Sequence, residues 1–97
     1  MLTSKQRAFL KARAHNLDPR VMVGKEGASD ALKRALETQL DNDELVKLRF
    51  VSGKETCRET AQTLARASGR ELVQCIGYVA VLYRPSRIPE KRNLVLP

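Results

Sequence analysis

Hydrophobic and polar positions repeat along this chain with two different periods, and the places where the period changes mark seven elements. Ser4 reads as a helix cap, and Lys5 to His15 after it contain no Gly, Pro or β-branched residue. Leu10, Ala14 and Leu17 follow the i, i+4, i+7 spacing of a buried stripe, while Arg7, Lys11 and His15 share another face. Asp18-Pro19 ends this helix. Arg20 to Val23 alternates like a short strand until Gly24-Lys25-Glu26-Gly27 breaks the pattern. Ser29 caps a second helix that runs to about Asn42, with Leu32, Ala35, Leu36, Gln39 and Leu40 inward. Outside, Asp30 with Arg34 and Lys33 with Glu37 stand at i, i+4.

Glu44 to Val51 alternates as a half-exposed strand, with Val46, Leu48 and Phe50 to one side and Lys47 and Arg49 to the other. Ser52-Gly53 turns the chain into a third helix over Lys54 to Ser68, whose Cys57, Ala61, Leu64 and Ala65 recur at helical spacing, and Gly69 is placed as its left-handed stop. Glu71 to Ile76 and Val79 to Arg84 are two strands around Gly77-Tyr78, a tight hairpin or bulged bend. Pro85 stops the last, and Ser86 to Pro97 is expected to lie loose or along the surface. The order α-β-α-β-α-β-β predicts an α/β fold, a single compact sandwich with helices packed on a four-stranded mixed sheet. Residues 1–86 form the domain, and 87–97 a basic tail.

At 97 residues with 42% apolar content, one core is possible but a large internal cavity is not, which puts any binding site outside. The longest nearly unbroken apolar stretch, Ile76 to Tyr83, is far short of the roughly 20 residues of a membrane span. No secretory or transit segment is read at the N-terminus, and a soluble, cytoplasmic monomer is expected. Charge narrows the partners. Eighteen Lys and Arg against eleven Asp and Glu give +7, distributed as +5 over Met1 to Lys25, −1 over Glu26 to Tyr83 and +3 over Arg84 to Pro97. A neutral middle between two basic ends predicts a polyanionic partner, nucleic acid above all.

Other chemistry is poorly served. Cys57 and Cys75 are eighteen positions apart, match no metal spacing, and fall on apolar stripes, so both are read as core; His15 is distant from either. No catalytic set, paired carboxylates or metal cluster is found, and neither a Walker pattern nor GxGxxG supports a nucleotide cofactor. Gly24-Lys25-Glu26-Gly27, between a strand and a capped helix, instead resembles the GxxG loop with which KH-type modules clamp a single-stranded backbone. Unpaired N–H groups and the helix dipole favour an anion there, Lys25 adds charge, and Glu26 opposes a purely electrostatic trap. The plain alternative is that glycines simply turn a strand into a helix.

Three segments carry a closer resemblance: LTSKQRAFLKARAH from Leu2, VMVGKEGAS from Val21 and LVQCIGYVAVLYRPS from Leu72. Together they are similar to the YhbY family, the stand-alone bacterial form of the CRM domain, related to KH-like folds and to the C-terminal domain of translation initiation factor 3. The resemblance covers Leu2 to about Ser86. It implies RNA binding without catalysis and association with ribosomal RNA in precursors of the large subunit. It maps the RNA-contacting GxxG loop onto Gly24, Lys25, Glu26 and Gly27, the basic first-helix residues onto Lys5, Arg7, Lys11 and Arg13, and a closing arginine onto Arg84. Ala28 departs from the larger apolar residue the family has after the second glycine, which implies looser packing under the loop. The competing expectation is a protein-interaction module whose basic face meets an acidic ribosomal partner.

Overall fold

The computed structural model describes residues 2–51, 57–67, 71–92 and 94–97. Helix α1 spans Ser4–Ala14, strand β1 Val21–Val23, helix α2 Asp30–Asp43, strand β2 Leu45–Phe50, helix α3 Cys57–Arg66, strand β3 Glu71–Ile76 and strand β4 Val79–Tyr83. The Ser52-Gly53 turn, the start of the third helix at Lys54 and its stop at Gly69 lie outside the described residues.

The four strands form one sheet in the order β1-β2-β4-β3. β1 is parallel to β2, with α2 crossing between them, while β4 is antiparallel to both β2 and β3. Strand alternation sends two sets of apolar side chains to opposite faces. Val21, Val23, Val46, Leu48, Phe50, Ala80 and Leu82 meet Leu36 and Leu40 of α2 and Cys57, Ala61 and Leu64 of α3. Leu45, Val73, Val81 and Tyr83 meet Leu10 and Ala14 of α1 on the other side. One face thus carries two helices and the other carries one. Among the described residues no helix is long and apolar enough to cross a membrane.

Several boundaries differ from the sequence expectation, each for a local reason. Thr3, not Ser4, caps α1: its Oγ1 accepts from the Gln6 N–H at 3.0 Å while Gln6 Oε1 accepts from the Thr3 N–H at 3.0 Å. This reciprocal box needs a Gln or Glu three positions on, which Thr3 has and Ser4 lacks. α1 ends at Ala14, so Leu17 falls outside the helical stripe and is 37% exposed. At the end of α2, Glu44 is the cap and takes φ +65°, a conformation that non-glycine residues rarely hold without compensation. The compensation is visible. Its buried carboxylate accepts from the Ser86 N–H at 2.8 Å and the Leu94 N–H at 3.1 Å, and its carbonyl accepts from the Arg84 N–H at 3.0 Å.

Those bonds also decide between the two expectations for the tail, which lies along the surface and is not loose. Ser86 Oγ donates to the Asp41 carbonyl at 2.6 Å, Pro89–Lys91 forms a 3-10 turn, and Leu94 and Leu96 pack beside α1 on the one-helix face. Gln6 Nε2 then donates to the Pro97 carbonyl at 3.2 Å. The tail therefore leaves the C-terminal end of α2 and reaches α1, clamping the two faces together.

Candidate nucleic-acid interface

The GKEG segment is a tight turn held mostly by its own backbone. The Gly27 N–H donates to the Gly24 carbonyl at 3.1 Å, and the Ser29 N–H to the Gly27 carbonyl at 2.9 Å. Gly27 has φ +66°, where a side chain is strained, while Gly24 shows no such requirement. Ser29 Oγ then accepts from the Leu32 N–H at 3.2 Å and caps α2, and Ala28 packs partly buried against the two-helix core. The loop is thus aimed by α2. Among the described residues, however, its surroundings are not basic. Lys25 and Glu26 share a hollow with Glu59, Thr60 and Thr63 of α3, so one cation faces two carboxylates.

An element with positive charge and no acid of its own lies elsewhere. α1 contains no Asp or Glu, and its Lys5, Lys11 and Arg13 are exposed. Lys11 and Arg13 also complement the negative end of the helix dipole. Arg7 is half-buried: its Nη1 donates to the carbonyls of Leu72 and Val73 at 2.5 and 2.7 Å. These two carbonyls sit where the β3–β4 register shifts between Leu72 and Gln74, so Arg7 satisfies the acceptors that a bulge on an edge strand leaves open. Arg13 turns to the other flank of α1. There its guanidinium stands 5.7 Å from the Phe9 ring and lines a hollow with Arg20, Lys47, Asp18 and Asp43. The first-helix cations therefore do not form one ridge. His15, exposed just past the helix, caps its C-terminus.

Arg84 has a different setting from the one the resemblance suggests. Its side chain is 8% exposed, and Nη2 lies 3.1 Å from Asp41 Oδ1 and 3.7 Å from Glu37 Oε2. Arg87 joins from the tail, 2.7 Å from Asp41 Oδ2 and 3.1 Å from Glu37 Oε2. Hydrogen bonds from Arg87 and then Arg84 hold the Asp41 carboxyl well below the usual carboxylate range, against the opposing cost of burial. Burial and the neighbouring Glu44 charge push the Tyr83 hydroxyl upward, partly offset by Arg92. Arg84 is thus the inner cation of a four-membered ionic knot that ties strand end, helix end and tail.

Two cations that sequence reasoning passed over stand beside Arg7. Arg58 and Arg66 project from α3 on the outer side of β3, where Arg7 and Arg58 line the same two adjoining hollows. The signal was present in the sequence as Arg58, Gln62 and Arg66 at i, i+4, i+8, a polar stripe opposite Cys57, Ala61, Leu64 and Ala65.

Comparison with known proteins supplies the relationship. An RNA-binding protein of Haemophilus influenzae is 41% identical, over 99% of this chain and 95% of its own length. Bacillus subtilis has a relative named Probable RNA-binding protein YqeI, 37% identical over the full length of both. The solution structure of the hypothetical protein SAV1595 from Staphylococcus aureus superimposes with a TM-score of 0.82 at 37% identity, covering the whole of each chain. With the CRS1 / YhbY (CRM) domain model matching residues 2–84, this chain belongs to the CRM domain family.

Proposed function

We propose that this protein binds RNA through the phosphate backbone, without catalysis, and that its target is ribosomal RNA in precursors of the large subunit. The observation that carries the reading is the basic helix α1, which has no Asp or Glu of its own and projects Lys5, Lys11 and Arg13 while Arg7 fastens it to the sheet. The names of the relatives in Haemophilus and Bacillus support the RNA assignment. In this reading the Gly24-Lys25-Glu26-Gly27 turn offers a single phosphate the N–H groups at its Lys25-Glu26 tip and the α2 dipole, since the Gly27 N–H is bonded to the Gly24 carbonyl and Glu26 and Glu59 offset Lys25. Arg84 serves the surface indirectly, by fixing the tail that braces α1. The protein works in the cytoplasm as a monomer, and no cofactor enters.

Phosphate contacts should outweigh base stacking, since Phe50 and Tyr83 are buried and Tyr78 alone stands out, 43% exposed, among the strand and hairpin aromatics. RNA affinity measured across a salt series should fall with a slope of about −0.7 per neutralised phosphate on single strands. Lys11→Ala should flatten that slope. An unchanged slope in Lys11→Ala and Lys25→Ala together would sink the reading. The rival reading, a basic face meeting an acidic ribosomal protein, is separated by nuclease treatment: retention on ribosomal particles after the RNA is digested would favour it.

A further inference from the structure

The basic residues around β3 come from opposite faces of the sheet, and they meet at its free edge. β3 is the last strand in the sheet, so among the described residues no strand pairs with its outer side. From the one-helix face Arg7 and Lys11 reach the hollow along Leu72 to Ile76, and from the two-helix face Arg58 reaches the same hollow. The adjoining hollow is lined by Arg7, Arg58 and Arg66 with Glu71, the one acid of either lining among the described residues. Among the described residues four cations therefore flank about one strand's length of open edge.

We infer that this edge is a second, stronger track for the RNA backbone, with Arg58 and Arg66 of α3 completing it opposite Arg7 and Lys11. The inference rests on the RNA reading above and extends it to α3, around the edge of the sheet. Three features favour a polyanion over an added peptide strand. Peptide pairing along β3 needs its outward carbonyls, and Arg7 already occupies those of Leu72 and Val73. The register shift between Leu72 and Gln74 further breaks the regular spacing that a partner strand would follow. With the Leu72 and Val73 carbonyls covered by a guanidinium, that part of the edge presents positive charge to a phosphate. Arg7 itself is held in place by the same bonds, so it loses little freedom when an anion arrives. Ile76, 69% exposed at the end of the hollow, offers apolar surface to a base beside the clamped backbone.

The test is the intact chain titrated with a fluorescently labelled single-stranded oligouridylate over a salt series, comparing the parent with Arg58→Gln/Arg66→Gln. Both arginines are exposed, and a thermal melt monitored by circular dichroism confirms that the variant is folded. If each neutralises one phosphate, the double variant should lower the slope by about 1.4 and weaken binding about 25-fold at 0.1 M salt. Parent-like slope and affinity in the folded double variant would overturn the inference. So would displacement of the oligouridylate from the edge by equimolar poly-L-glutamate, which would mark the surface as one for acidic protein. Failure of the parent itself to bind RNA in this salt-dependent way would overturn the functional reading instead, which keeps the two outcomes apart.

Discussion

In the proposed reading the GKEG loop and the β3 edge both meet the RNA backbone, but by opposite means. At the loop the geometry is made by the backbone: a left-handed Gly27, two short-range turn bonds and a capped helix behind them. Among the described residues side-chain charge there is net negative, because Lys25 stands with both Glu26 and Glu59. At the edge the backbone contributes an interrupted strand, while the charge comes from side chains of two helices on opposite faces. The loop lies within a few consecutive residues; the edge joins Arg7 to a carbonyl 65 positions away. A compact motif can thus set direction and close approach, and long-range topology can gather the positive potential that dominates salt-dependent affinity.

The largest effect should come from separating these regions physically. Leu10 is fully buried and is the principal apolar anchor of α1, on the face that holds only one helix. Leu10→Ala should cost about 2–5 kcal/mol, from lost transfer energy and the cavity left behind. Urea denaturation measures the total, and amide hydrogen exchange shows where it is lost. Exchange should rise first in α1 and in the tail packed beside it, with the loop and α2 better protected. Uniform acceleration through both faces would mean that loop and edge belong to one cooperative unit, and the contrast would then be only chemical.

The same division explains what the sequence disclosed. Element order, the mixed four-stranded sheet and most of the inward faces of α2 and β2 were legible, because Leu36 and Leu40 or Val46, Leu48 and Phe50 repeat at the period of a single element; Ala35, expected inward, is exposed. The GKEG turn was legible as well, since its glycines and Ser29 act within a few positions. What stayed hidden depends on partners distant along the chain. Nothing near Glu44 announces that its carboxylate gathers Ser86 and Leu94, and nothing near Arg84 shows that Glu37 and Asp41 enclose it. Helical spacing put Arg7 on one face with Lys11 and His15, but only the fold brings the Leu72 and Val73 carbonyls of β3 within its reach. Charge counting found the basic ends of the chain but missed Arg58 and Arg66, which lie in the neutral middle.

Acid should loosen the edge before the loop. The ionic knot at the C-terminal end of α2 holds the start of the tail, and the tail's far end braces α1 through Leu94, Leu96 and the Pro97 carbonyl. Because folding depresses the Asp41 carboxyl, its stabilisation is complete above the unfolded carboxylate value of about 4 and is lost as pH falls toward the much lower folded one. Asp41→Asn removes the charge at any pH and should cost about 1.5–3 kcal/mol at pH 7, the range for hydrogen bonds to charged groups. The stability difference between parent and variant should then shrink as pH drops below about 4. A difference that stayed constant from pH 7 to pH 3 would remove Asp41 from the knot's energetics.

Gly27→Ala is the smallest of these perturbations and addresses the loop directly. A Cβ there would lie 3.8 Å from Thr60 Cγ2, so space is available and the cost is conformational. Holding alanine at φ +66° should destabilise the fold by about 1–2 kcal/mol. For RNA the two regions predict different signatures. A loop that aims backbone N–H groups should lose affinity as its turn relaxes, yet the salt slope should hold, because no cation has been removed. Arg58→Gln/Arg66→Gln should show the converse: unchanged turn geometry and a reduced slope. A Gly27→Ala variant that lowered the slope as much as the double arginine variant would mean that loop and edge hold the same stretch of backbone, and the division between a directing loop and a charged edge would collapse into a single site.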